Sequence, residues 1–292
     1  MTNYQSQISN IQSQLESAYP PDEAEALAWW IAEELTGLSR TELQIGCKIN
    51  KNFANMQEIV DRLLHFEPIQ YIFGHTLWCG LDLKVTPATL IPRPETAELV
   101  EKITNHQSPI TNCRVLDIGT GSGCIAIALK QRHPEWQVTG IDISAEAIEV
   151  AKENAIRNNV EVDFKVADIF DSIDKNHQLQ ITNHQYDIVV SNPPYIRESE
   201  KVSMRQNVLN YEPASALFVP DNDPLKFYRR IAEIFTHHPS PVTHNPLYLF
   251  FEINEAFPAE LSAMLSELGY TDIQISNDIY GKLRIIQARS AR

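Results

Sequence analysis

The chain has 292 residues, a formal net charge of −14, and no apolar run as long as a membrane span. The acidic charge argues against a protein that holds nucleic acid mainly through its phosphates, and it fits a small-molecule or protein substrate. The N-terminus lacks the basic start and the apolar core of a signal peptide, so we expect a cytoplasmic protein without membrane contact.

Neither the cysteines nor the histidines have the spacing of a metal site. The cysteines are far apart and form no paired-ligand pattern: Cys47, Cys79, Cys113 and Cys124. Between residues 237 and 246, three histidines alternate with prolines rather than lying at ligand spacing. We therefore expect reduced thiols and no bound metal.

Apolar residues recur at helical spacing near the start of the chain. Ile8, Ile11 and Leu15 lie on one face of the first predicted helix. Ser39-Arg40-Thr41-Glu42 has the pattern of a capping box, which predicts a short third helix. We interpret residues 1–75 as a small helical bundle that docks a protein partner.

Residues 76–94 have the pattern of a β-hairpin linker followed by a stiff loop. Gly80 lies near the expected bend, and apolar residues occupy alternate positions around it: Leu77, Cys79, Leu81, Leu83 and Val85. Pro94 restricts Arg93 to an extended backbone. Arg93 and Glu95 are candidates for lining a substrate site, and a plain connector with a surface ion pair is the alternative.

A glycine-rich turn follows the first strand predicted after the linker. That strand ends at Ile118, and Gly119-Thr120-Gly121-Ser122-Gly123 then leads into a helix. Glycines there permit positive φ and let a ligand approach the backbone. A second strand ends at Asp142, about 20 residues after Gly121, the distance at which a βαβ unit places a carboxylate on a ribose.

The spacing of the glycines distinguishes between nucleotide cofactors. Gly119-x-Gly121-x-Gly123 lacks the wider spacing of the dinucleotide fingerprint, and no Gly-Lys-Ser/Thr follows as in a phosphate loop. A third predicted strand ends just before Asp168. Together, the glycine turn and the carboxylates at these strand ends are suited to binding S-adenosylmethionine. Asp142 would accept from the ribose hydroxyls and Asp168 from the adenine amino group, and the N–H of Ile169 would meet a ring nitrogen.

The fourth predicted strand ends in Asn192-Pro193-Pro194-Tyr195. Asn192 offers a side-chain carbonyl, and the prolines fix φ so that the Pro193 carbonyl is presented in one direction. Two such acceptors could hold both hydrogens of a planar NH2 group while Tyr195 stacks on it. Their dipoles would stabilise the positive charge that grows on the nitrogen. We predict that all four residues are catalytic and contact the substrate, and that Asn192 also borders the cofactor. The alternative is a Pro-Pro turn that ends a strand.

The chain resembles the peptide chain release factor N5-glutamine methyltransferase family (PrmC, also called HemK). The matching stretches lie between residue 68 and the end of the chain: Pro68–Gly74, Leu90–Thr96, Asp117–Gly123, Asp142–Ser144, Ser191–Ile196 and Tyr211–Leu217. The resemblance implies an α/β fold with a seven-stranded, Rossmann-like, S-adenosylmethionine-dependent methyltransferase domain at residues 95–292. The helical bundle and the hairpin linker precede it.

The resemblance also implies a substrate, the glutamine of the Gly-Gly-Gln loop in class 1 release factors. Its side-chain amide carries the conjugated NH2 group that Asn192 and Pro193 would hold. We expect a monomer that makes no direct contact with nucleic acid. Three residues depart from the family's pattern: Asn254 and Pro224 stand where glycines are expected, and Ile169 stands where some members carry an aromatic residue.

Three other functions remain open at the level of the sequence. A methyltransferase acting on adenine N6, cytosine N4 or guanine N2 of nucleic acid solves the same electronic problem with closely similar tetrapeptides. The acidic charge and the absence of a recognised base-flipping or RNA-binding appendage count against it. A cofactor-binding scaffold without activity is disfavoured by the intact tetrapeptide. The third is methylation of a glutamine in a different protein.

Overall fold

The computed structural model describes residues 3–46, 55–106, 112–171, 186–236 and 246–290. Cys47 lies outside these ranges. So do residues 174–185, whose polar sequence predicts a surface loop, and all but the last residue of 237–246, whose prolines predict another. In chain order the helices are α1 (Asn3–Leu15), α2 (Pro21–Thr36), α3 (Arg40–Gln44), α4 (Met56–Leu64), α5 (Ile69–Phe73), α6 (Thr96–Thr104), α7 (Cys124–Arg132), α8 (Ala145–Arg157), α9 (Gln206–Tyr211), α10 (Lys226–Thr236) and α11 (Pro258–Glu267). No described helix combines the length and the apolarity that crossing a bilayer requires.

The described strands include a hairpin, a seven-stranded sheet and a short parallel pair. They are β1 (His75–Trp78), β2 (Leu81–Lys84), β3 (Arg114–Ile118), β4 (Gln137–Asp142), β5 (Asp163–Val166), β6 (Ile188–Ser191), β7 (Ile196–Arg197), β8 (Phe218–Val219), β9 (Tyr248–Glu252), β10 (Tyr270–Asn277) and β11 (Leu283–Ser290). Short 3-10 helices lie at Glu198–Ser203 and Ala214–Ala216.

The described residues divide into two compact units. One contains the chain up to Gly74 together with Arg205–Tyr211. The other contains His75–Met204 together with the chain from Glu212 onward. The second unit holds all the described strands.

The first unit is helical, and its core consists of residues spaced to share helix faces. The fully buried members include Ile11, Leu15, Ile31, Val60 and Leu63. The predicted capping box is present, because the Ser39 side chain accepts from the Glu42 N–H and the Glu42 carboxylate accepts from the Ser39 N–H. The segment from Arg205 joins this unit through an ion pair with Glu23 at 3.1 Å.

The second unit is built on a sheet with the strand order β10-β11-β9-β6-β3-β4-β5. The five strands from β9 to β5 are parallel, and β10 and β11 pair antiparallel at one edge. Successive residues of a strand point to opposite faces, so Val115 packs in an apolar cluster with α7 while Leu116 packs in a second cluster with α10. The sheet is therefore covered by helices on both faces, and the predicted Rossmann-like fold is confirmed.

The order of the strands changes direction between β3 and β6. From β3 the chain adds β4 and β5 on one side, then returns to place β6 on the other side. Ile118 at the end of β3 is paired with Ser191 at the end of β6. In open sheets of this kind, ligands bind outside the carboxyl ends of the strands at such a reversal. The glycine turn and the tetrapeptide therefore begin side by side at a place suited to a ligand.

The hairpin β1–β2 has a register that simple alternation does not predict. Trp78 pairs with Leu81, so both lie on the buried face, while Leu77 pairs with Asp82 and is 76% exposed. The turn residues Cys79 and Gly80 both have positive φ, at 51° and 79°, as in tight hairpin turns. This turn shifts the apolar alternation by one residue between the two strands.

Candidate active site

The carboxyl ends of five parallel strands line up along one edge of the sheet. In the order of the sheet they carry Glu252, Asn192, Gly119, Asp142 and Asp168. A cavity of about 500 Å³ opens at this edge. Its wall includes most of the predicted site residues: Arg93, Gly119, Thr120, Gly121, Ser122, Asp142, Asp168, Ile169, Asn192, Pro193 and Pro194.

The glycine turn presents open backbone to the cavity. The N–H groups of Gly119 and Thr120 both donate to the Ile141 carbonyl at 2.9 Å, which ties the turn to β4. Gly119 and Gly121 have φ of 70° and 54°, and a Cβ added at either would meet nothing of the protein within 4 Å. The space above both glycines is therefore free for a ligand to approach the backbone.

Gly123 has a different role from the other two glycines. A Cβ there would lie 3.1 Å from each of three side-chain atoms, on Ala151, Ile127 and Phe164. Gly123 is also not among the residues that line the cavity. The structure thus places this predicted cofactor residue in the packing of α7 against its neighbours.

Asp142 is held in one orientation by two backbone donors. Its Oδ2 accepts from the Gly121 N–H and its Oδ1 accepts from the Ser144 N–H, both at 2.9 Å. Burial raises the pKa of the carboxyl, and these N–H donors oppose the rise by stabilising the charged form. A carboxylate oxygen can accept more than one hydrogen bond, so Asp142 keeps acceptor capacity on the cavity side for a pair of hydroxyls.

Asp117, on β3, is fully buried beneath the glycine turn. The Thr120 hydroxyl donates to its Oδ2 at 2.6 Å, and its Oδ1 has no hydrogen-bond partner among the described residues. Burial raises the pKa of this carboxyl to about 7, with the Thr120 bond opposing the rise. Asp117 therefore titrates close to neutral pH in the folded protein.

The far end of the cavity carries an aromatic surface next to Asp168. The Phe170 N–H donates to Asp168 Oδ1 at 2.8 Å. The rings of Phe170 and Phe227 meet edge to face with centroids 5.4 Å apart, and Lys226 Nζ lies 4.6 Å from the Phe170 centroid. All of these residues line the cavity, together with Ile169. Position 169 carries no aromatic residue, and Phe170 and Phe227 provide the aromatic surface at this end of the cavity instead.

The tetrapeptide is divided between the cavity and the interior. Asn192, Pro193 and Pro194 line the cavity, and Asn192 Nδ2 donates to Thr96 Oγ1 at 3.3 Å. Tyr195 is not among the residues that line the cavity, and its hydroxyl donates to Glu252 Oε1 at 3.0 Å. Burial and the nearby Glu252 raise the pKa of Tyr195 far above its ordinary value, so the hydroxyl stays protonated. The Tyr195 hydroxyl is therefore engaged by Glu252, and the stacking role of its ring stays a prediction.

Glu252 lies at the centre of this part of the site and is 1% exposed. Its Oε2 accepts from the Thr96 hydroxyl at 2.6 Å. Burial raises the pKa of the carboxyl, while the hydroxyls of Thr96 and Tyr195 and the guanidinium of Arg284 oppose the rise. Neither Thr96 nor Glu252 was predicted as a site residue. The only available signal was an acidic residue ending an apolar strand, the same signal that marks Asp142.

Arg93 is both a cavity residue and half of an ion pair. Its Nη2 lies 2.6 Å from Glu212 Oε1, and the Glu212 side chain is 1% exposed. The second oxygen of Glu212 accepts from the Ile91 N–H at 3.1 Å. Glu95 is not among the cavity residues and precedes α6 without a side-chain cap. The predicted pair of site residues is thus represented at the cavity by Arg93 alone.

Asn254, one of the departures from the family pattern, supports the tetrapeptide from behind. Its Nδ2 donates to the Tyr195 carbonyl at 3.1 Å, and its Oδ1 accepts from the Ala256 N–H at 2.9 Å.

Within the described ranges, no cluster of three His, Cys, Asp or Glu side chains could hold a metal ion. Cys79 and Cys124 are free thiols.

Both parts of the chain match known protein families. Residues 94–218 match the family described as the methyltransferase small domain, and residues 8–74 match the PrmC N-terminal domain. Among solved structures, the hMettl16 catalytic domain in complex with MAT2A 3′UTR hairpin 1 has a TM-score of 0.52 and 20% identity, covering 72% of this chain and 75% of that one. A methyltransferase from Pyrococcus furiosus has a TM-score of 0.50 and 17% identity, covering 82% of this chain and all of that one. These structures share the fold.

Curated relatives match nearly the whole chain. A release factor glutamine methyltransferase of Bacteroides thetaiotaomicron is 43% identical, over 95% of this chain and 97% of its own length. A release factor glutamine methyltransferase of Flavobacterium psychrophilum is 40% identical, over 98% of this chain and 97% of its own. The family resemblance predicted from the motifs is confirmed, and the chain belongs to the release factor glutamine methyltransferase family.

Proposed function

We propose that this protein transfers a methyl group from S-adenosylmethionine to the side-chain amide nitrogen of the glutamine in the Gly-Gly-Gln loop of class 1 peptide chain release factors. The observation that carries the proposal is the position of Asn192 and Pro193 on the wall of the same cavity as the glycine turn and Asp142. Membership of the family supports the choice of substrate.

The cofactor end of the cavity has carboxylate acceptors, open backbone and apolar surface that suit S-adenosylmethionine. When bound, this cofactor supplies a methyl group made electrophilic by a positively charged sulfur. Asp142 receives the ribose hydroxyls, and Asp168 and the Ile169 N–H meet the adenine edge. The backbone freed by Gly119 and Gly121 accommodates the methionine end of the cofactor. Phe170 and Phe227 offer apolar surface to the adenine ring.

The substrate end holds an amide nitrogen whose lone pair is tied up in conjugation. Asn192 Oδ1 and the Pro193 carbonyl accept its two hydrogens and aim the nitrogen at the methyl group. Positive charge grows on that nitrogen during the transfer, and the two carbonyl dipoles stabilise it where it develops. No base is required beforehand, because the methylated amide can lose its proton afterwards. Positioning therefore contributes most of the rate enhancement.

The remaining predicted site residues receive narrower roles in this proposal. Arg93 lines the cavity and is available to the substrate, while Glu212 holds its guanidinium in place. Tyr195 anchors the tetrapeptide through Glu252. Residues 1–75 dock the body of the release factor, and residues 76–94 link them to the methyltransferase domain.

The test is methyl transfer from radiolabelled S-adenosylmethionine to a matched release factor, with a Gln→Ala variant of its Gly-Gly-Gln loop as the substrate control. Label should appear on the wild-type factor only, and Asn192→Ala should slow its incorporation about 10²- to 10³-fold while leaving cofactor binding intact by calorimetry. Label on ribosomal RNA or DNA in place of the factor would support a nucleic-acid methyltransferase. Cofactor binding without any label would support a scaffold or another protein substrate.

A further inference from the structure

A chain of hydrogen-bonded side chains leads from the cavity wall into the interior. Asn192 Nδ2 lies 3.3 Å from Thr96 Oγ1, and Thr96 Oγ1 lies 2.6 Å from Glu252 Oε2. Tyr195 Oη lies 3.0 Å from Glu252 Oε1. Thr96 begins α6, Glu252 ends β9, and this helix packs against this strand. The chain of bonds is therefore held by regular structure at both ends.

The direction of each bond follows from the donors available. A carboxylate only accepts hydrogen bonds, so the hydroxyls of Thr96 and Tyr195 must both donate to Glu252. Thr96 has one hydroxyl hydrogen, and Glu252 takes it. Towards Asn192, the Thr96 oxygen can then only accept. Asn192 must consequently present its NH2 group to Thr96, which leaves its Oδ1 as the acceptor for a ligand.

The opposite orientation of the Asn192 amide would be incompatible with an NH2 substrate. A 180° rotation would place Oδ1 against the Thr96 oxygen and turn the Asn192 NH2 towards the cavity. Two donors would then face each other across the site, and a buried donor without an acceptor is costly. An asparagine without such a partner has no comparable preference between the two orientations.

Resting on the proposed function, we infer that Thr96 and Glu252 are positioning residues for methyl transfer: through hydrogen bonds they fix the Asn192 amide with its carbonyl oxygen towards the NH2 group that accepts the methyl. Because Glu252 accepts the hydroxyl hydrogen of Thr96, the Thr96 oxygen can only accept a hydrogen bond from the Asn192 NH2 group. The pair thereby favours substrates that offer an N–H donor at this point.

The fixed orientation of the Asn192 amide depends on the negative charge of Glu252. The ionisable groups that surround it are Tyr195, Tyr228, Arg284, Glu95 and, through Arg284, Asp278. Burial raises the pKa of Glu252, whereas the hydroxyl donors and Arg284 favour the charged form. When the pH falls through this raised pKa, Glu252 gains a proton and can donate to Thr96. The bond directions are then no longer fixed, so turnover should fall on the acid side.

The test compares Thr96→Val, which removes the hydroxyl at constant shape, with Thr96→Ser, which keeps it. Thr96→Val should lower kcat for the release factor about 10- to 100-fold, the range that misplacement of a reacting group costs. Thr96→Ser should stay within about twofold of wild type, because a hydroxyl hydrogen bond is restored. The affinity for S-adenosylmethionine should change in neither variant. Thr236→Val, which removes a hydroxyl that donates to the Ala232 carbonyl and interacts with the Tyr270 hydroxyl away from the cavity wall, is the matched control.

Two further measurements test the positioning role independently of the loss of turnover in Thr96→Val. In the NMR spectrum of the full chain, the side-chain NH2 signals of Asn192, identified by their loss in Asn192→Ala, should be protected from exchange in wild type and lose this protection in Thr96→Val. Glu252→Gln should lower kcat and remove the acid-side loss of turnover, because a glutamine does not titrate.

The possible failures can be told apart. Wild-type turnover in a normally folded Thr96→Val enzyme, or a Thr96→Ser enzyme as slow as Thr96→Val, would overturn the positioning role. An unprotected Asn192 amide in wild type would overturn it as well. A wild-type protein that labels no release factor but keeps a protected Asn192 amide would contradict the proposed function and support the hydrogen-bonded chain.

Discussion

The two halves of the cavity wall are held by different kinds of bonds. In the cofactor half, backbone N–H groups of Gly121, Ser144 and Phe170 fix the carboxylates of Asp142 and Asp168. The sequence separations of these bonds are 21, 2 and 2 residues. The substrate half depends on bonds between side chains, with separations of 96 residues for Asn192–Thr96, 156 for Thr96–Glu252 and 57 for Tyr195–Glu252.

This difference determines how each half responds to substitution. A backbone donor is present whatever the side chain, so most changes in the cofactor half leave the donors of its carboxylates in place. Each bond of the substrate half requires two particular side chains from distant segments of the chain. We therefore expect substitutions to separate into those that affect cofactor binding and those that affect the transfer step.

Asn192→Ala separates the halves most strongly. It removes an acceptor aimed at developing charge, a loss that costs about 10²- to 10³-fold in kcat. Calorimetry should find an unchanged affinity for S-adenosylmethionine, because Asp142 and the glycine turn are intact. Asn277→Ala, at an exposed position on β10, is the control. A comparable loss of cofactor affinity in Asn192→Ala would show that the two halves are not independent.

Arg93→Ala tests whether the substrate half depends on its distant ion pair. The change leaves the Glu212 carboxylate buried without its charged partner, and the free energy of unfolding should fall by about 3 kcal/mol. Chemical denaturation measures this, and turnover should decline as well. Arg157→Ala breaks an exposed pair with Asp82 in the same unit and should cost less than about 1 kcal/mol. Unchanged stability and turnover in Arg93→Ala would make this loop a plain connector.

Asp142→Asn is the corresponding change in the cofactor half. An asparagine can accept from only one of the two N–H groups that Asp142 serves, and it turns a donor towards the other. The dissociation constant of S-adenosylmethionine should rise about tenfold or more, since a hydrogen bond to a charged group contributes about 1.5 to 3 kcal/mol. At saturating cofactor, kcat should change little. Asp163→Asn, on the exposed start of β5, should leave the affinity unchanged.

Asp117→Asn tests the support beneath the cofactor half through the pH dependence of stability. The pKa of Asp117 rises from its ordinary 3.8 to about 7 on folding. Between these pH values the folded protein holds a proton that the unfolded chain has lost. Its stability should therefore fall as the pH rises, by up to about 1.4 kcal/mol per pH unit. Subtracting the Asp117→Asn curve from the wild-type curve isolates this slope, and parallel curves would contradict it.

The cofactor half could be predicted almost completely from the sequence because its signals are local. A strand, a glycine turn and a carboxylate after the next strand belong to one βαβ unit. Their spacing in the sequence therefore predicts that the turn and the carboxylate lie next to each other in the fold. The cofactor role of Gly123 stays a prediction, and spacing alone does not show that a Cβ there would lie against Phe164. Phe227 could not be predicted, because it lies on α10, far along the chain from Phe170.

In the substrate half, the tetrapeptide and Arg93 could be predicted from the sequence, but their partners could not. Asn192 was identified from its chemistry, but its partner Thr96 lies on another helix, and nothing in the local pattern joins them. The position of Asp142 at the end of an apolar strand predicts it as a site residue. Glu252 ends β9 in the same way but is not among the predicted site residues. The hydrogen bond from the Tyr195 hydroxyl to Glu252 joins residues 57 positions apart, and no local pattern in the sequence predicts it.

The most direct test of the account is to locate the transferred methyl group by tandem mass spectrometry. A matched release factor would be incubated with S-adenosylmethionine and either the wild-type enzyme or Asn192→Ala, then digested and sequenced. We expect one methyl group on the side-chain nitrogen of the Gly-Gly-Gln glutamine with the wild-type enzyme, and at most about one hundredth of that initial rate with Asn192→Ala. A methyl group on another residue, or full methylation by Asn192→Ala, would contradict it.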